Sequence, residues 1–567
     1  MKKSRILNLA ALLVAAAGAG AADAVRPPVP AWLENAVIYQ IYPQSYQDSD
    51  GDGIGDLPGL ISRLDYIKSL GVDAIWLNPI FDSPFADAGY DVRDFRRIAP
   101  RYGTNADAKR LFQEAHKRGL KVVLDLVAGH TSDQHPWFAE SAKAAKNEFS
   151  DRYIWTDAKT VKPGGFVAGK YKRDGCYKPN FFDCQPALNY GYGKPDPAHS
   201  WEQPVAAPGP QATLAELKSI MAFWLEQGCD GFRVDMASSL IKNDPGGKAT
   251  SALWNGIRNE FGRQYPDSVL VAEWSNPKQA IQAGFHIDFM IHFGTPGYPS
   301  LFFNEKGTFH HPPCFFDARG QGSFTDFYQN WRAHYDATKG LGYIAIPSAN
   351  HDFQRPNCGP RDVSQLRVVW AFLLTWPGVP FIYYGDEIGM RFIEGLPSKE
   401  GSMLGGGANR AGTRTPMQWD AKAANAGFST TADAKALYLP LDADPGRPTV
   451  SVQEADPQSL LNFVRKLVAL RKTHPALGQA ATLERLPAGP RHYPAIYLRE
   501  AQGKRLLVAL NPSGEAVTAN LAIDNLAEIK PLLADKASAK IENGKAVISM
   551  EGVAFGIFEL LPGNGTK

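Results

Sequence analysis

Short apolar runs rich in β-branched and aromatic residues recur along the chain, and each ends in polar or aromatic residues. They are AVIYQIYP from residue 36, AIWLNPI from 74, KVVLDLVAGH from 121, GFRVDMA from 231, VLVAEWS from 269, DFMIHF from 288, YIAIPSANHD from 343 and VPFIYYGDEIG from 379. Amphipathic stretches such as LPGLISRLDYIKSLG and NADAKRLFQEAHKRG lie between them, with apolar positions at helical spacing. Eight strands alternating with helices predict an α/β fold, a (β/α)8 TIM barrel whose active site opens at the C-terminal ends of the strands.

The spacing is uneven in one place. About a hundred residues separate the third run from the fourth, and residues 131–200 are dominated by Gly, Pro, Tyr, Phe and Asn, which predicts an irregular inserted domain in place of one crossover helix. After the helical pattern PQSLLNFVRKLVALRKTHPAL the chain changes to HYPAIYLRE, RLLVALNPS, KAVISM and FGIFELL, separated by turn residues. This predicts a C-terminal antiparallel β-sandwich over residues 476–567, leaving the barrel to residues 25–130 and 201–475.

The N-terminus has its own signature. Lys2, Lys3 and Arg5 precede ILNLAALLVAAAGAG, and ADA at 22–24 offers small residues before Val25, so residues 1–24 are expected to be a signal peptide cleaved near Ala24. The chain would be exported to the periplasm or the medium. No other stretch approaches ~18 consecutive apolar residues, so no membrane span is expected in the mature chain. Export makes the cysteines candidates for disulfides; proximity and loop context suggest Cys176–Cys184 and Cys314–Cys358 bridges, with Cys229 a free core thiol.

Composition narrows the partners. Lys+Arg 60 against Asp+Glu 58 gives a net charge of +2, without a long basic run, which argues against nucleic acid or an anionic membrane. Trp 12, Tyr 21 and Phe 30 supply flat surfaces for stacking against sugar rings, or simply core. The segment DSDGDGIGD at 48–56 has the spacing of a calcium-binding helix-loop-helix, but Gly59 stands where a bidentate Glu would complete the shell. By itself this segment reads equally as a metal loop or as a solvated acidic turn.

The strand ends carry the candidate chemistry. The third supplies Asp125 and His130, the fourth Arg233 and Asp235, the fifth Glu273, and the seventh Asn350, His351 and Asp352. Acids ending three strands of one barrel are hard to explain by folding, because desolvated carboxylates cost free energy. DLVAGH, GFRVD, AEW and ANHD, in this order, resemble the four signature regions of the α-amylase family, glycoside hydrolase family 13. QIYPQSY, GYDVRDF, HTSDQHPWF and GTRTPMQW further resemble its exo-acting branch of oligo-1,6-glucosidases, α-glucosidases and trehalose synthases.

The resemblance implies Asp235 as nucleophile, Glu273 as acid/base and Asp352 as the third acid, binding sugar hydroxyls. Arg233 would keep Asp235 ionised, while His130 and His351 hydrogen-bond the same ring. Tyr90 would be a stacking platform, and Asp91 would pair with Arg414 at the closed end of the pocket. It also implies structural calcium in the acidic loop, held by Asp48, Asp50, Asp52 and Asp56 side chains and the Ile54 carbonyl. Gly129 and Ala187 stand where α-amylases carry Asn and Asp ligands of a different calcium site, and Met236 after the nucleophile leaves linkage preference open. The expected activity is that of a retaining exo-acting α-glucosidase on short malto- or isomalto-oligosaccharides, without an organic cofactor. A transglycosylase or isomerase such as a trehalose synthase, an α-amylase, and a non-catalytic carbohydrate-binding relative are the alternatives.

Overall fold

The computed structural model describes residues 26–487 and 493–563, and the predicted signal peptide lies outside the described residues. All eight apolar runs form strands of a closed parallel barrel: β1 (Ile38–Ile41), β2 (Ala74–Leu77), β3 (Lys121–Leu126), β4 (Gly231–Val234), β5 (Val269–Ala272), β6 (Ile287–Phe289), β7 (Tyr343–Pro347) and β8 (Val379–Tyr383). β1 closes the ring, with Ile38 opposite Ala74 on one side and Phe381 on the other. β1, β2, β4 and β5 are buried throughout, hence their lack of apolar–polar alternation.

Even-numbered strands share one interior layer. Trp76 of β2, Phe289 of β6 and Phe381 of β8 meet at ring-centroid distances of 5.7, 6.1 and 4.8 Å. The fourth side is Arg233 of β4, its guanidinium 5.1 Å from the Trp76 ring centroid. A position usually filled by a branched apolar side chain is therefore cationic directly below the strand ends.

The helix Asn105–Lys117 follows its sequence pattern. Thr104 and Asp107 form a reciprocal capping box, and Ala108, Leu111, Phe112 and Ala115 face the core. The stretch expected to be one helix from residue 57 is instead two, Leu57–Ser62 and Leu64–Ser69, broken at Arg63. The Arg63 side chain is drawn away by a bond to Gln47 Oε1 (2.7 Å) and by the Trp419 ring, 4.2 Å from its guanidinium. Among the described residues no helix is long and apolar enough to cross a membrane.

Residues 127–207, between β3 and the helix Pro208–Gln227, carry one short helix, Pro136–Ser141, and isolated bridges such as His130 with Ala187 and Trp155 with Tyr177. Phe138 packs there against Tyr153, Trp155, Tyr171 and Tyr177. Neither expected disulfide is present, and all five thiols are free. Cys176 is turned into a cluster with Ile154, Phe166 and Tyr192 and donates to the Lys159 carbonyl at 3.6 Å. The Cys314 sulfur faces Arg361 Nη2 at 3.2 Å, so sequence proximity misjudged where these side chains point.

After residue 480 the antiparallel strands β9 (Thr482–Leu486), β10 (Ala495–Ala501), β11 (Lys504–Asn511), β12 (Val517–Leu521), β13 (Glu528–Glu542) and β14 (Lys545–Leu561) form the expected C-terminal β domain, joined in one six-stranded sheet. The length of β14 accounts for this: β11 and β12 share one of its edges and β13 takes the other. Ile496, Leu507 and Ile548 lie in the sheet's own core. Alternate positions dock on the barrel: Tyr497 packs 5.0 Å from Trp376, and Arg499 donates to the Thr375 carbonyl at 2.7 Å.

Two positions make this architecture testable. Gly231 opens β4 with φ +142°, and a Cβ there would stand 2.2 Å from the Val269 carbonyl oxygen of β5. Gly231→Ala should lower stability by ~1–3 kcal/mol and displace the strand bearing Arg233 and Asp235; an unchanged Tm would refute that close approach. Lys242 fastens the insert to the barrel, donating to Asn180 Oδ1 at 2.8 Å and to the Ser239 carbonyl. Burial pushes its ammonium down to about 7 from an ordinary 10.5. The unfolded chain holds the extra proton between those values, so stability contributed by this residue rises with pH across that window. The Tm of the wild type relative to Lys242→Met should climb from pH 7 to 10.5; parallel pH profiles would contradict it.

Candidate active site

The two acids expected to react stand one residue beyond adjacent strands. The barrel ladder continues through them, Asp235 N–H donating to the Leu126 carbonyl and Glu273 N–H to the Val234 carbonyl, each at 3.0 Å. Both residues are 7% exposed. After Asp235 the chain turns sharply at Met236, whose φ of 43° is unusual for a residue with a side chain. The turn aims the Met236 N–H at Glu273 Oε2, 2.9 Å away.

Arg233 organises the cluster. Asp125 opposes it across the β3–β4 register and accepts from Nη1 at 2.9 Å; Asp235 Oδ1 accepts at 3.2 Å, and Nη2 lies 2.8 Å from Glu273 Oε1. Burial alone would lower the guanidinium's pKa, but the three carboxylates raise it well above its ordinary value. Burial pushes Asp125 up to about 6 against the pull of Arg233. Asp235 is raised well above the carboxylate range by burial and by the neighbouring Glu273 carboxylate. One cation among three buried acids leaves excess negative charge, which opposes ionisation of Asp235, so Arg233 alone does not keep that carboxylate ionised as expected from the resemblance.

Asp352 has the opposite environment. Its Oδ1 accepts from Arg410 Nη1 at 2.7 Å, and Arg414 Nη2 lies 3.5 Å away. Burial would raise Asp352, but the Arg410 and Arg414 guanidiniums hold it well below its usual range. Burial keeps His351 uncharged, so Arg410 and Arg414 supply the positive charge. The His351 ring stacks on Tyr90 at 5.3 Å and 8°. Gln40 Nε2 donates to His351 Nδ1 (3.2 Å), leaving Nε2–H to face the Tyr90 hydroxyl (2.9 Å), which itself donates to Asp125 Oδ2 (2.9 Å).

His130 is fixed by a similar chain. Lys242 holds Asn180 Oδ1, so Asn180 Nδ2 faces His130 Nδ1 at 3.2 Å and His130 Nε2–H donates to the Tyr90 carbonyl at 3.0 Å. Burial lowers this imidazole to about 3, keeping it neutral. Asn180 also fills the space beside Gly129, where a Cβ would meet its Nδ2 at 2.7 Å. Gly129 and Ala187 thus offer no side-chain oxygen, and the Lys242 ammonium stands at the same joint.

Tyr90, His130, Asp235, Glu273, His351 and Asp352 line a cavity of about 260 Å³, closed further by Asp87 and Arg410, while Arg233 and Arg414 stand behind its wall. Asp91 is not part of that wall. Its carboxylate accepts from the Ser83 hydroxyl and from the Ala86 and Asp87 N–H groups, which makes it a loop fastener. The acid that reaches the cavity is Asp87, in a turn closed by Tyr90 N–H to the Asp87 carbonyl at 2.8 Å, with Ala88 and Gly89 at φ 50° and 100°. Its partner is Arg410 (3.2 Å), which joins Asp87 to Asp352, while Arg414 supports from behind and donates from Nε to the His351 carbonyl at 2.8 Å. Asp87 and Arg410 are the residues that sequence reasoning missed, although each stands within four positions of a residue it named.

In the acidic loop after β1, carboxylate oxygens of Asp48, Asp50 and Asp56 lie within 4.8 Å of one another, a donor set that suits a hard cation. Asp52 is outside that group and accepts from the Ile54 N–H at 2.7 Å. Tyr438 ties the loop to the site, donating from its N–H to the Gly53 carbonyl at 2.8 Å while its hydroxyl meets that of Tyr42 at 2.9 Å. The Tyr42 ring lies beside His351, at 6.4 Å and 19°.

Comparison with known proteins agrees with this geometry. Residues 40–480 match the alpha amylase catalytic domain. The chain is 33% identical over 497 residues to an oligo-1,6-glucosidase of Parageobacillus thermoglucosidasius, covering 78% of this chain and 84% of that protein. It is 32% identical over 505 residues to the trehalose synthase/amylase TreS of Mycobacterium tuberculosis, covering 81% and 78%. The crystal structure of the alpha-glucosyl transfer enzyme XgtA superposes with a TM-score of 0.76 at 27% identity, covering 94% of this chain and all of that one. A matching catalytic domain, on a barrel whose strand ends carry three converging acids, makes this chain a member of the α-amylase family of glycoside hydrolases.

Proposed function

We propose that the protein is a retaining, exo-acting α-glucosidase that releases glucose from short malto- or isomalto-oligosaccharides. The observation that carries this reading is the pairing of two environments in one cavity: Asp235 and Glu273 share one guanidinium, whereas Asp352 is held ionised between two. In the first step an Asp235 oxygen attacks C1 of the terminal glucose as the glycosidic C1–O bond breaks, and Glu273 delivers its proton to the departing oxygen. In the second step Glu273 takes a proton from water, the water oxygen bonds C1, and Asp235 leaves as carboxylate. Two inversions return the α-anomer. Asp352 stabilises positive charge developing on the ring, and neutral His130 and His351 offer hydrogen bonds to its hydroxyls.

The exo-acting part rests on the wall. The Asp87–Arg410–Asp352 chain is buried, and the cavity is smaller than the roughly 300–1,000 Å³ of sites for larger ligands, which suits one terminal ring better than a through-running chain. A second reading, intramolecular transfer that turns maltose into trehalose, is favoured by the similarity to TreS. We also propose a structural calcium ion held by Asp48, Asp50 and Asp56; when bound it neutralises their mutual repulsion and takes no part in the chemistry.

With maltose, early NMR spectra should show α-glucose in excess over the anomer ratio of the maltose supplied, because the leaving glucose keeps that ratio, and Asp235→Asn should lose at least about 10⁴-fold in kcat. An initial excess of β-glucose over that ratio or an undiminished variant would defeat the retaining mechanism, while accumulating trehalose would favour the second reading. Calcium at 100 times its Kd should add about 2.7 kcal/mol of stability. A melting curve indifferent to thorough chelation and to added calcium would count against the ion.

A further inference from the structure

Beyond Glu273 the chain leaves the barrel ladder, and three consecutive backbone N–H groups turn toward one side chain. Asp288 of β6 accepts from the Trp274 N–H at 3.0 Å and the Ser275 N–H at 3.2 Å through Oδ1, and from the Asn276 N–H at 2.8 Å through Oδ2. The register explains this reach. Asp288 stands opposite Ala272, one residue before Glu273. Phe289 faces the barrel interior beside Trp76, so its neighbour faces outward, toward the departing loop. Ser275, the middle residue of the three, has φ 51°, a left-handed turn of the kind that lets successive N–H groups converge on one acceptor. Asp288 is fully buried, and burial pushes its carboxyl up to about 8 against the pull of these N–H groups.

Residues beyond β6 close on the same loop. The Thr295 N–H donates to the Ser275 carbonyl at 2.6 Å, the Ser275 hydroxyl donates to the Phe293 carbonyl, and a Cβ on Gly294 would stand 2.3 Å from the Ser275 carbonyl oxygen. Residues 274–276 are thus enclosed by one segment, 288–295, while Glu273 presents Oε1 to Arg233 and Oε2 to the Met236 N–H. Asp288 itself is not part of the cavity wall. Burying such a group costs free energy, which hydrogen bonds to the loop offset.

Resting on the glucosidase reading, the geometry points to Asp288 as the positioning residue of the acid/base: its carboxyl gathers the three N–H groups that follow Glu273 and thereby fixes the Glu273 carboxyl between Arg233 and the Met236 N–H. Asp288 touches neither substrate nor reacting atoms and acts through the backbone. A misplaced acid fails where the leaving group needs a proton. The sugar oxygen of maltose needs one as the C1–O bond breaks, whereas fluoride departs from α-D-glucosyl fluoride with little such help. Both donors form the same glucosyl–Asp235 ester, so kcat/KM for each reports the steps up to that ester.

The test compares the two donors. Asp288→Asn keeps the size of the side chain but turns one acceptor oxygen into an amide NH2 that opposes a backbone N–H, and Asp288→Ser leaves one small acceptor. In either variant kcat/KM for maltose should fall by about 10²-fold, and for α-D-glucosyl fluoride by no more than about threefold. Equal losses on the two donors, the mark of a merely structural role, or no loss on maltose would overturn the proposal and leave the glucosidase reading intact. Hydrogen exchange on the wild type needs no substitution: the N–H groups of Trp274, Ser275 and Asn276 should exchange as slowly as those of β5, and exchange at the rate of an open loop would also overturn the proposal. Absence of glucose release by the wild type from either donor would overturn the glucosidase reading, and the proposal with it.

Discussion

The site depends on one buried guanidinium. Arg233 replaces an apolar residue in a barrel layer, rests beside the Trp76 ring and faces Asp125, Asp235 and Glu273 at once. Burying three carboxylates without that cation would cost several kcal/mol for each ion. A single positive charge only partly offsets three carboxylates, and burial raises Asp125 and Asp235 above the ordinary carboxylate value. Such a cluster is the electrostatic condition for a pair in which one carboxyl attacks while the other donates.

Asp352 shows how far environment separates like groups. Two guanidiniums hold it ionised within the same cavity, while burial holds His130 and His351 neutral. The site therefore holds one carboxylate well below its ordinary value on one side and raises another well above it on the other. Neither property belongs to the amino-acid types, since Asp235 and Asp352 are the same residue.

The rest of the cavity wall is built separately, from connecting segments. A tight turn brings Asp87 beside Tyr90, a 3-10 turn beginning at Arg410 brings that side chain to Asp352, and the insert contributes Asn180 and Phe181. The strand ends carry the acids on a rigid frame, and the loops shape the opening above them. The acidic loop after β1 belongs to this outer system through Tyr438 and Tyr42.

The barrel was legible because a strand buried on both faces must be apolar throughout, and eight such runs leave a periodic trace. Asp235, Glu273 and Asp352 were legible for a related reason: polar residues placed just after such runs fall at one end of the barrel. Which neighbouring residue faces the cavity was not legible. Asp87 and Asp91 are four residues apart in one loop, and the left-handed turn at Ala88 and Gly89 puts one on the cavity and leaves the other holding backbone. Arg410 and Arg414 differ likewise, and the Cys176 and Cys314 sulfurs face groups outside their expected bridges. Periodicity reports a side chain's face only within regular elements, where backbone geometry fixes its direction; in loops that direction is set by long-range contacts, which only the tertiary structure decides.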